Sequence, residues 1–262
     1  LDLDRLYTQP NIIGTAPGDV TWSADGRWLA FLWNEVGESF RDVYRIDTRD
    51  PALAPKRVTR LPRLDDTVPA DLAATLDRSV LEVRSRQRRE LDGGVSSVGF
   101  HGSNLLFSFR GDLYAATSAP GVALQLTRTS SPERAAKASP DGRALAFLRE
   151  GDLWLASGLT SGSGADQLRA ALANARRVTE PSGPAKRISE FRWSPDSRRI
   201  SLVESDQSGV EVRSIPDYLT EETSADQVRR AYPGEEPSRQ RLGILTLGGD
   251  GTRTAGGIVW PE

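Results

Sequence analysis

Residues 138–156, ASPDGRALAFLREGDLWLA, contain two short strand-like runs at 144–148 and 152–156. The turn sequence Ser-Pro-Asp-Gly at 139–142 precedes the first run, and Glu150-Gly151 separates the two. Proline presets φ for a turn, and Asp-Gly supplies residues that tolerate positive φ. This order of turn, strand, turn and strand predicts an antiparallel hairpin.

The same order of turns and strands recurs along the chain. Ser23-Ala24-Asp25-Gly26 precedes strand-like runs at 28–33 and 42–47, and Ser194-Pro195-Asp196-Ser197 precedes a run at 200–204. A further copy is degenerate at its turn. We predict a lead-in at 1–18 and repeat units at about 19–61, 95–130, 133–180 and 187–262.

The fourth unit is longer than the others. We expect the runs at 210–215 and 242–247 to complete its sheet, with an acidic, proline-containing excursion at 216–237 between them. Ile258-Val259-Trp260 is predicted to start an element that the sequence does not finish.

Two insertions read as helices. Apolar residues at helical spacing predict an inserted helix at about 70–91, which ends in the basic run Arg84-Ser85-Arg86-Gln87-Arg88-Arg89. The simplest explanation of these positive charges is that they lie on a helix face exposed to solvent. A glycine- and serine-rich segment at 158–164 leads into an alanine-rich segment at 165–175, where a second short helix is expected.

Units of about 40 to 55 residues with this pattern are typical of propeller blades. One sheet cannot bury both of its faces, so neighbouring sheets must cover them. We therefore predict an all-β fold, a partial β-propeller of about four four-stranded antiparallel blades in a single domain over 1–262. A β-sandwich is the competing fold, but the repeat units of this chain resemble one another more than the strands of a sandwich would. Seven aromatic residues at matching places are predicted to lie in the blade cores: Trp22, Phe31, Phe100, Phe107, Phe147, Phe191 and Trp193.

Composition narrows the function classes. The net charge is −2, which argues against nucleic acid as the main partner, and no apolar run approaches the roughly 18 residues of a membrane span. Cysteine is absent, so disulfides and thiol chemistry are excluded. For the same reason, the sequence does not indicate whether the protein is periplasmic, secreted or cytoplasmic. Methionine is absent even at position 1, so we expect the sequence to begin after a processing site or a chosen boundary.

The sequence offers little for catalysis. His101 is the single histidine, it lies in a turn-like segment, and no Gly-x-Ser-x-Gly is present. We expect this chain alone to be non-catalytic, without metal or cofactor. The acidic pairs Asp65-Asp66, Glu221-Glu222 and Glu235-Glu236 suit a cation or an ammonium group, but their polar surroundings favour solvated loops.

Three segments resemble the propeller domain of the prolyl oligopeptidase superfamily of serine peptidases, in particular its dipeptidyl peptidase IV branch. Trp193-Ser194-Pro195-Asp196-Ser197 is similar to the family's Trp-Ser-Pro-Asp-Gly blade motif, which the periplasmic propeller of the Tol system shares. Residues 230–237, RAYPGEEP, resemble the end of the family's long crossing, with Glu236-Pro237 in place of Asn-Pro. The basic helix at 77–89 resembles an arginine-rich helix inserted early in the propeller.

The resemblance implies an eight-bladed propeller followed by an α/β-hydrolase domain that carries Ser, Asp and His. This chain would then be an N-terminal part of a serine peptidase that gates and contacts peptide substrates. In the family an arginine of the inserted helix binds a substrate carbonyl; Arg78 is the nearest match by position and Arg84 the next. The Glu-Glu pair of aminodipeptidases is missing, because residues 182–187 read SGPAKR.

Two alternatives stay open. One is a stand-alone Tol-type propeller that acts as a protein-interaction module. The other is a sugar-binding propeller, although the sequence shows no residues dedicated to binding a sugar. If the ring is incomplete, its first and last blades expose sheet faces that a closed propeller would cover. Such apolar surface predicts self-association, blade to blade.

Overall fold

The structure is a computed structural model and describes residues 14–62, 94–116, 122–217, 224–248 and 253–261. Within these ranges the chain forms four four-stranded antiparallel sheets and one separate two-stranded hairpin. In each sheet the strands lie side by side in the order in which they occur along the chain, so each is an antiparallel meander.

Sheets 1 and 2 follow the predicted pattern. Sheet 1 comprises β1 (Gly18–Trp22), β2 (Trp28–Trp33), β3 (Asp42–Asp47) and β4 (Lys56–Arg57). Sheet 2 comprises β5 (Val95–His101), β6 (Asn104–Phe109), β7 (Asp112–Ala116) and β8 (Ala123–Gln125). The bounds of β2 and β3 are those predicted from the sequence, because clear turn residues flank both strands.

Sheet 3 contains the stretch from which the repeat was recognised. It comprises β9 (Glu133–Ala138), β10 (Ala144–Arg149), β11 (Asp152–Ser157) and β12 (Arg176–Arg177). Between β11 and β12 lies the helix α1 (Ala165–Ala173), which buries Leu168 and Leu172. The alanine-rich segment is therefore helical, as predicted, and ends two residues earlier than 175.

Sheet 4 differs from the prediction. It comprises β13 (Lys186–Trp193), β14 (Arg199–Asp206), β17 (Arg239–Leu247) and β18 (Arg253–Val259). The run at 210–215 does not complete this sheet, because β15 (Val212–Asp217) pairs with β16 (Ser224–Arg229) in the separate hairpin. Residues 258–260 do not start a new element either, since β18 pairs with β17 as the fourth strand.

By its contacts the chain divides into two compact units. The first consists of Leu1–Arg149 with Leu155–Arg176, and the second of Glu150–Trp154 with Arg177–Glu262. The inserted basic helix predicted at about 70–91 lies outside the described residues.

In the first unit, the first strand of one sheet packs over the first three strands of the preceding one. Strand β5 contacts β1, β2 and β3, and β9 contacts β5, β6 and β7 in the same way. One apolar cluster joins sheets 1 and 2, with Leu32 and Val43 on one side and Val98, Leu105 and Phe107 on the other. Sheet 1 thus buries a face against sheet 2, and sheet 2 packs in turn against β9, as the propeller interpretation requires.

In the second unit, sheet 4 has one well-buried face. The fully or nearly fully buried apolar side chains on this face are Ile188, Phe191, Ile200, Leu202 and Leu245. The ring of Trp260 lies directly against Gly243, where an added Cβ would approach the ring to 2.5 Å. Arg241 stacks 4.0 Å from the centre of that ring and donates to Glu204 Oε1 at 2.8 Å.

Most of the predicted core aromatics are buried. Phe31, Phe107, Phe147 and Phe191 are buried in their sheets, and Phe100 and Trp193 are half-buried. Trp22 is an exception, because more than half of its surface is exposed. Its assignment to the core was therefore wrong.

Candidate functional site

The polar clusters of this chain lie mainly in its turns. In three sheets the turn between the first two strands contains a serine whose Oγ donates to Asp Oδ1 at 2.6 Å. The same serine oxygen accepts the backbone N–H five residues later, at 2.9 to 3.0 Å. The three pairs are Ser23–Asp25, Ser139–Asp141 and Ser194–Asp196.

The electrostatics of these turns are local. The Ser23 hydroxyl lowers the pKa of Asp25, and the Ser194 hydroxyl does the same for Asp196; a backbone N–H donated to each carboxylate adds to the effect. Each carboxylate is therefore held ionised by its own turn. These aspartates close turns and are not placed to exchange protons with a ligand.

A second cluster joins the third and fourth strands of sheet 1. Thr59 Oγ1 donates to Asp42 Oδ1 at 2.8 Å and accepts the N–H of Val43 at 2.9 Å. Arg57 donates to the other oxygen of Asp42 at 2.5 Å. Asp42 and Thr59 are buried, so the cluster satisfies polar groups that would otherwise be costly to bury.

Sheets 2 and 3 repeat this arrangement with variations. In sheet 3, Thr179 Oγ1 accepts the N–H of Leu153 at 3.2 Å and donates to Asp152 Oδ1 at 3.3 Å. In sheet 2, Thr127 Oγ1 accepts the N–H of Leu113 at 2.9 Å. The sequence shows the signal as the tripeptides Arg-Val-Thr and Gln-Leu-Thr, but the role of the partner aspartates was not predicted from it.

His101 is fully buried at the end of β5. Its Nε2 lies 3.0 Å from the carbonyl oxygen of Gly142. Because a carbonyl oxygen only accepts, Nε2 must carry the proton. Within the residues that the structure describes, Nδ1 has no hydrogen-bond partner. The ring therefore fastens β5 to a turn of sheet 3 and presents no nitrogen to a serine hydroxyl.

The acidic pair Glu235-Glu236 is engaged by the chain itself. Glu235 pairs with Arg213 and accepts the N–H of Tyr232 at 2.8 Å. That backbone donor, with Arg213, lowers the pKa of Glu235. Glu236 pairs with Arg239 at 2.5 Å. Both carboxylates are therefore paired with arginines of this chain. The pairs Asp65-Asp66 and Glu221-Glu222 lie outside the described residues.

Arg213 organises the base of the β15–β16 hairpin. It donates to the carbonyl oxygen of Arg230 at 3.1 Å and to Glu211 Oε2 at 2.7 Å. Its guanidinium carbon lies 4.1 Å from the centre of the Tyr232 ring. The segment 230–237, singled out in the sequence, is thus fixed where the chain returns from the hairpin to β17.

Residues 182–187, where an aminodipeptidase-like Glu-Glu pair would be expected, form a fixed connection within the second unit. The N–H of Ser182 donates to Asp152 Oδ1 at 2.9 Å, and its hydroxyl donates to the carbonyl oxygen of Gly151 at 3.3 Å. The predicted substrate-binding residues Arg78 and Arg84 lie outside the described residues.

No group of three or more His, Cys, Asp or Glu side chains that could hold a metal ion occurs within the described ranges. Among the helices described there, none is long and apolar enough to cross a membrane.

No family model matches the sequence, and no curated protein matches it. Solved structures do match its fold. One is assigned to TolB from Agrobacterium tumefaciens, with 15% identity and a TM-score of 0.52 over 94% of this chain and 65% of that one. Another is dipeptidyl peptidase 4 from Porphyromonas gingivalis, with 15% identity and a TM-score of 0.53 over 94% of this chain and 33% of that one.

The chain spans less than two thirds of the length of either structure. At this identity the likeness concerns the fold alone. Together with the four antiparallel sheets, it shows that the chain is a partial β-propeller.

Proposed function

We propose that this chain is the non-catalytic propeller region of a serine peptidase of the dipeptidyl peptidase IV type. In the intact protein it covers an α/β-hydrolase domain, admits peptides by size and contributes contacts to the bound peptide. Its partners are accordingly that hydrolase domain and the peptide substrates. The activity belongs to the hydrolase domain, and the propeller acts by restricting access.

The observation that carries this proposal is the construction of sheet 4. A long crossing interrupts the sheet between β14 and β17, and Arg213 anchors the Tyr232-Pro233 end of the crossing through Glu235 and the Tyr232 ring. The crossing resembles that of the peptidase propellers in sequence. The fold likeness to a dipeptidyl peptidase 4 is compatible with it.

The direct test is the coding sequence downstream of Glu262. We expect a Gly-x-Ser-x-Gly followed by Asp and His in an α/β-hydrolase pattern. The longer protein should hydrolyse short chromogenic peptide amides, while the present chain alone should release no product. Hydrolysis by the present chain, or a downstream sequence without the hydrolase pattern, would contradict the proposal.

We propose that Arg78, or failing it Arg84, binds a backbone carbonyl of the peptide, because a guanidinium offers a forked donor. In the longer protein, Arg78→Gln should raise KM about tenfold or more and leave the fold unchanged, since one charge-assisted hydrogen bond is worth about 1.5 to 3 kcal/mol. Arg198→Gln, at an exposed turn, is the matched control. Equal KM values for both variants and wild type would refute the role.

The second candidate is a Tol-type propeller that binds other proteins. It is favoured by the structural match to TolB, of which this chain covers 65%. A stop codon after Glu262 or soon beyond it would support this function and exclude the peptidase.

We also propose that the chain associates with further copies of itself through exposed sheet faces. Large apolar side chains with more than a third of their surface exposed lie on β1, β17 and β18. Apolar groups clustered on a sheet face favour association.

A further inference from the structure

The single histidine of the chain lies where two turns and a connecting segment of the first unit meet. The turns are the one between β5 and β6 and the one at 139–142, and the connection is 158–164, which follows β11. His101 ends β5, and its Nε2–H donates to the carbonyl oxygen of Gly142 at 3.0 Å. The ring is fully buried. One imidazole hydrogen bond therefore joins this end of sheet 2 to sheet 3.

The connection is seated closely against both turns. An added Cβ on Gly102 would overlap the carbonyl group of Ser161, and one on Gly142 would approach the Cα of Ser161 to 2.9 Å. Both glycines have a positive φ, which a residue with a side chain rarely adopts. The side chain of Asn104 donates to the carbonyl oxygen of Ser163 at 3.0 Å. Displacement of the buried ring would therefore disturb the seat of the connection.

Only the neutral ring suits this contact. Its one proton is on Nε2, which donates to a carbonyl oxygen. Protonation would add an N–H at Nδ1, which is buried and has no hydrogen-bond partner within the described residues. A buried donor without an acceptor destabilises a structure, and a buried charge does so more strongly.

The elements around the ring offer little to offset such a charge. The β5–β6 turn, β6 and the connection contain no ionisable side chain. In the turn of sheet 3, Asp141 and Arg143 are both exposed. One oxygen of Asp141 already accepts the Ser139 hydroxyl and the N–H of Arg143. On β9, which packs over β5, the ionisable residue nearest this turn in sequence is Lys137, whose positive charge disfavours another.

The remaining charged groups of the neighbouring elements lie elsewhere. On α1, the exposed residues Asp166 and Arg169 pair with each other at 2.8 Å. The other ionisable residues on strands β5 to β11 lie in the middle or at the opposite end of their strands: Asp112, Tyr114, Glu133, Arg134, Arg149 and Asp152. The buried carboxylates of sheets 2 and 3, Glu133 and Asp152, are thus remote from the ring.

We infer that His101 is a pH-sensitive fastener between sheets 2 and 3. With the ring neutral, the contact is closed and the connection 158–164 is held against both turns. Protonation drives the ring out of its site, which releases the connection and loosens the junction. This inference does not rest on the proposed function, and it applies to a peptidase propeller and to a Tol-type propeller alike.

Acidification should lower the stability of the chain in one defined range of pH. A histidine in an unfolded chain takes up a proton near about pH 6.5. The unfolded chain then binds one proton more than the closed contact, so the free energy of unfolding falls as pH falls below this value. His101 is the single histidine and cysteine is absent, so no other side chain ordinarily changes its charge between about pH 7.5 and 5.5.

The experiment is urea unfolding of this chain at about pH 7.5 and 5.5, for wild type and for His101→Gln. The glutamine amide can donate to Gly142 but cannot take up a proton. The equilibrium constant for unfolding of wild type should rise about tenfold between the two pH values, whereas that of His101→Gln should change less than about twofold. Equal pH dependence in the two proteins would overturn the inference.

Hydrogen exchange shows whether the contact itself opens. The N–H of Leu159 donates to the carbonyl oxygen of Arg143 at 3.1 Å, where the connection meets the turn of sheet 3. After correction for the intrinsic effect of pH on exchange, its protection should fall about tenfold from pH 7.5 to 5.5 in wild type. It should stay constant in His101→Gln. Constant protection of Leu159 in wild type would overturn the fastener.

Wild type alone also decides the question, so a variant that fails to fold does not prevent the test. One histidine gives one set of imidazole signals in the proton NMR spectrum. The change in these signals with pH should be accompanied by changes in the amide signals of Gly102, Gly142 and Ser161. Imidazole signals that move through the ordinary histidine range while these amides stay unchanged would show a protonated ring inside a closed contact, and would overturn the inference.

Discussion

Replacing Thr59 by valine tests whether the buried Asp–Thr cluster stabilises the first unit. Valine has nearly the same shape but neither donates nor accepts. The N–H of Val43 loses its acceptor at 2.9 Å, and Asp42 Oδ1 loses its donor at 2.8 Å. Each buried group left without a partner costs about 1 to 3 kcal/mol. The extra methyl group returns about 0.8 kcal/mol. We expect a net loss of about 3 kcal/mol.

The assay is urea unfolding followed by tryptophan fluorescence, since Trp22, Trp28 and Trp33 all report on sheet 1. The midpoint should fall while the slope with denaturant stays constant, because the unfolded surface is unchanged. Thr48→Val is the matched control: Thr48 makes an exposed hydrogen bond to the carbonyl of Arg27 at 2.9 Å. A loss for Thr59→Val within about 0.5 kcal/mol of the control would refute the reasoning, since exposed groups can bond to water instead.

Two further predictions concern the second unit. The hydrogen bonds from Ser208 and the pairing with Lys186 lower the pKa of Asp206. The ionised carboxylate therefore stabilises the fold above the ordinary aspartate pKa, and this stabilisation is lost as pH falls below it. When the free energy of unfolding is measured against pH, Asp206→Asn should lose less stability than wild type below about pH 4, and identical profiles would contradict this. Gly243→Ala should destabilise the unit by about 1 to 3 kcal/mol, because the new Cβ would overlap the Trp260 ring. The control Gly162→Ala has open space at its Cβ and should have little effect on stability. Equal losses in the two variants would argue against the packing of Trp260 on Gly243.

The strands that the sequence predicted well are those whose limits are set by local chemistry. A Ser-x-Asp turn before β2, β10 and β14 satisfies its own polar groups through hydrogen bonds between residues at most five apart. Such a turn needs no help from the rest of the fold, so its sequence is sufficient to locate it.

The organisation of sheet 4 could not be predicted in this way. The alternation of apolar residues marks both β15 and β17 as strands, but it does not say which of them pairs with β14. The choice is made by the register of β14 with β17, which extends from Arg199–Thr246 to Asp206–Arg239 without interruption. Pairing between residues so far apart in sequence leaves no local trace.

The polar clusters could be predicted only in part, and the reason is related. The Arg-Val-Thr tripeptide at 57–59 is visible as a repeat, but its partner Asp42 lies at the start of a different strand. The sequence separation of such partners varies with the length of the intervening loop: Thr59 lies 17 positions after Asp42, and Thr179 lies 27 positions after Asp152. A fixed spacing therefore cannot reveal the cluster.

The exposure of Trp22 shows what a repeat implies and what it does not. Equivalent residues in successive sheets share register and side-chain direction, because both follow from the strand itself. Burial depends on the next sheet, and the next sheet is a different part of the chain for every repeat. Val98 of β5 is buried in the cluster that joins sheets 1 and 2, whereas Val20 of β1 is 58% exposed. The repeat therefore predicts which side chains are suited to burial, and the packing of one sheet on another decides which of them are buried.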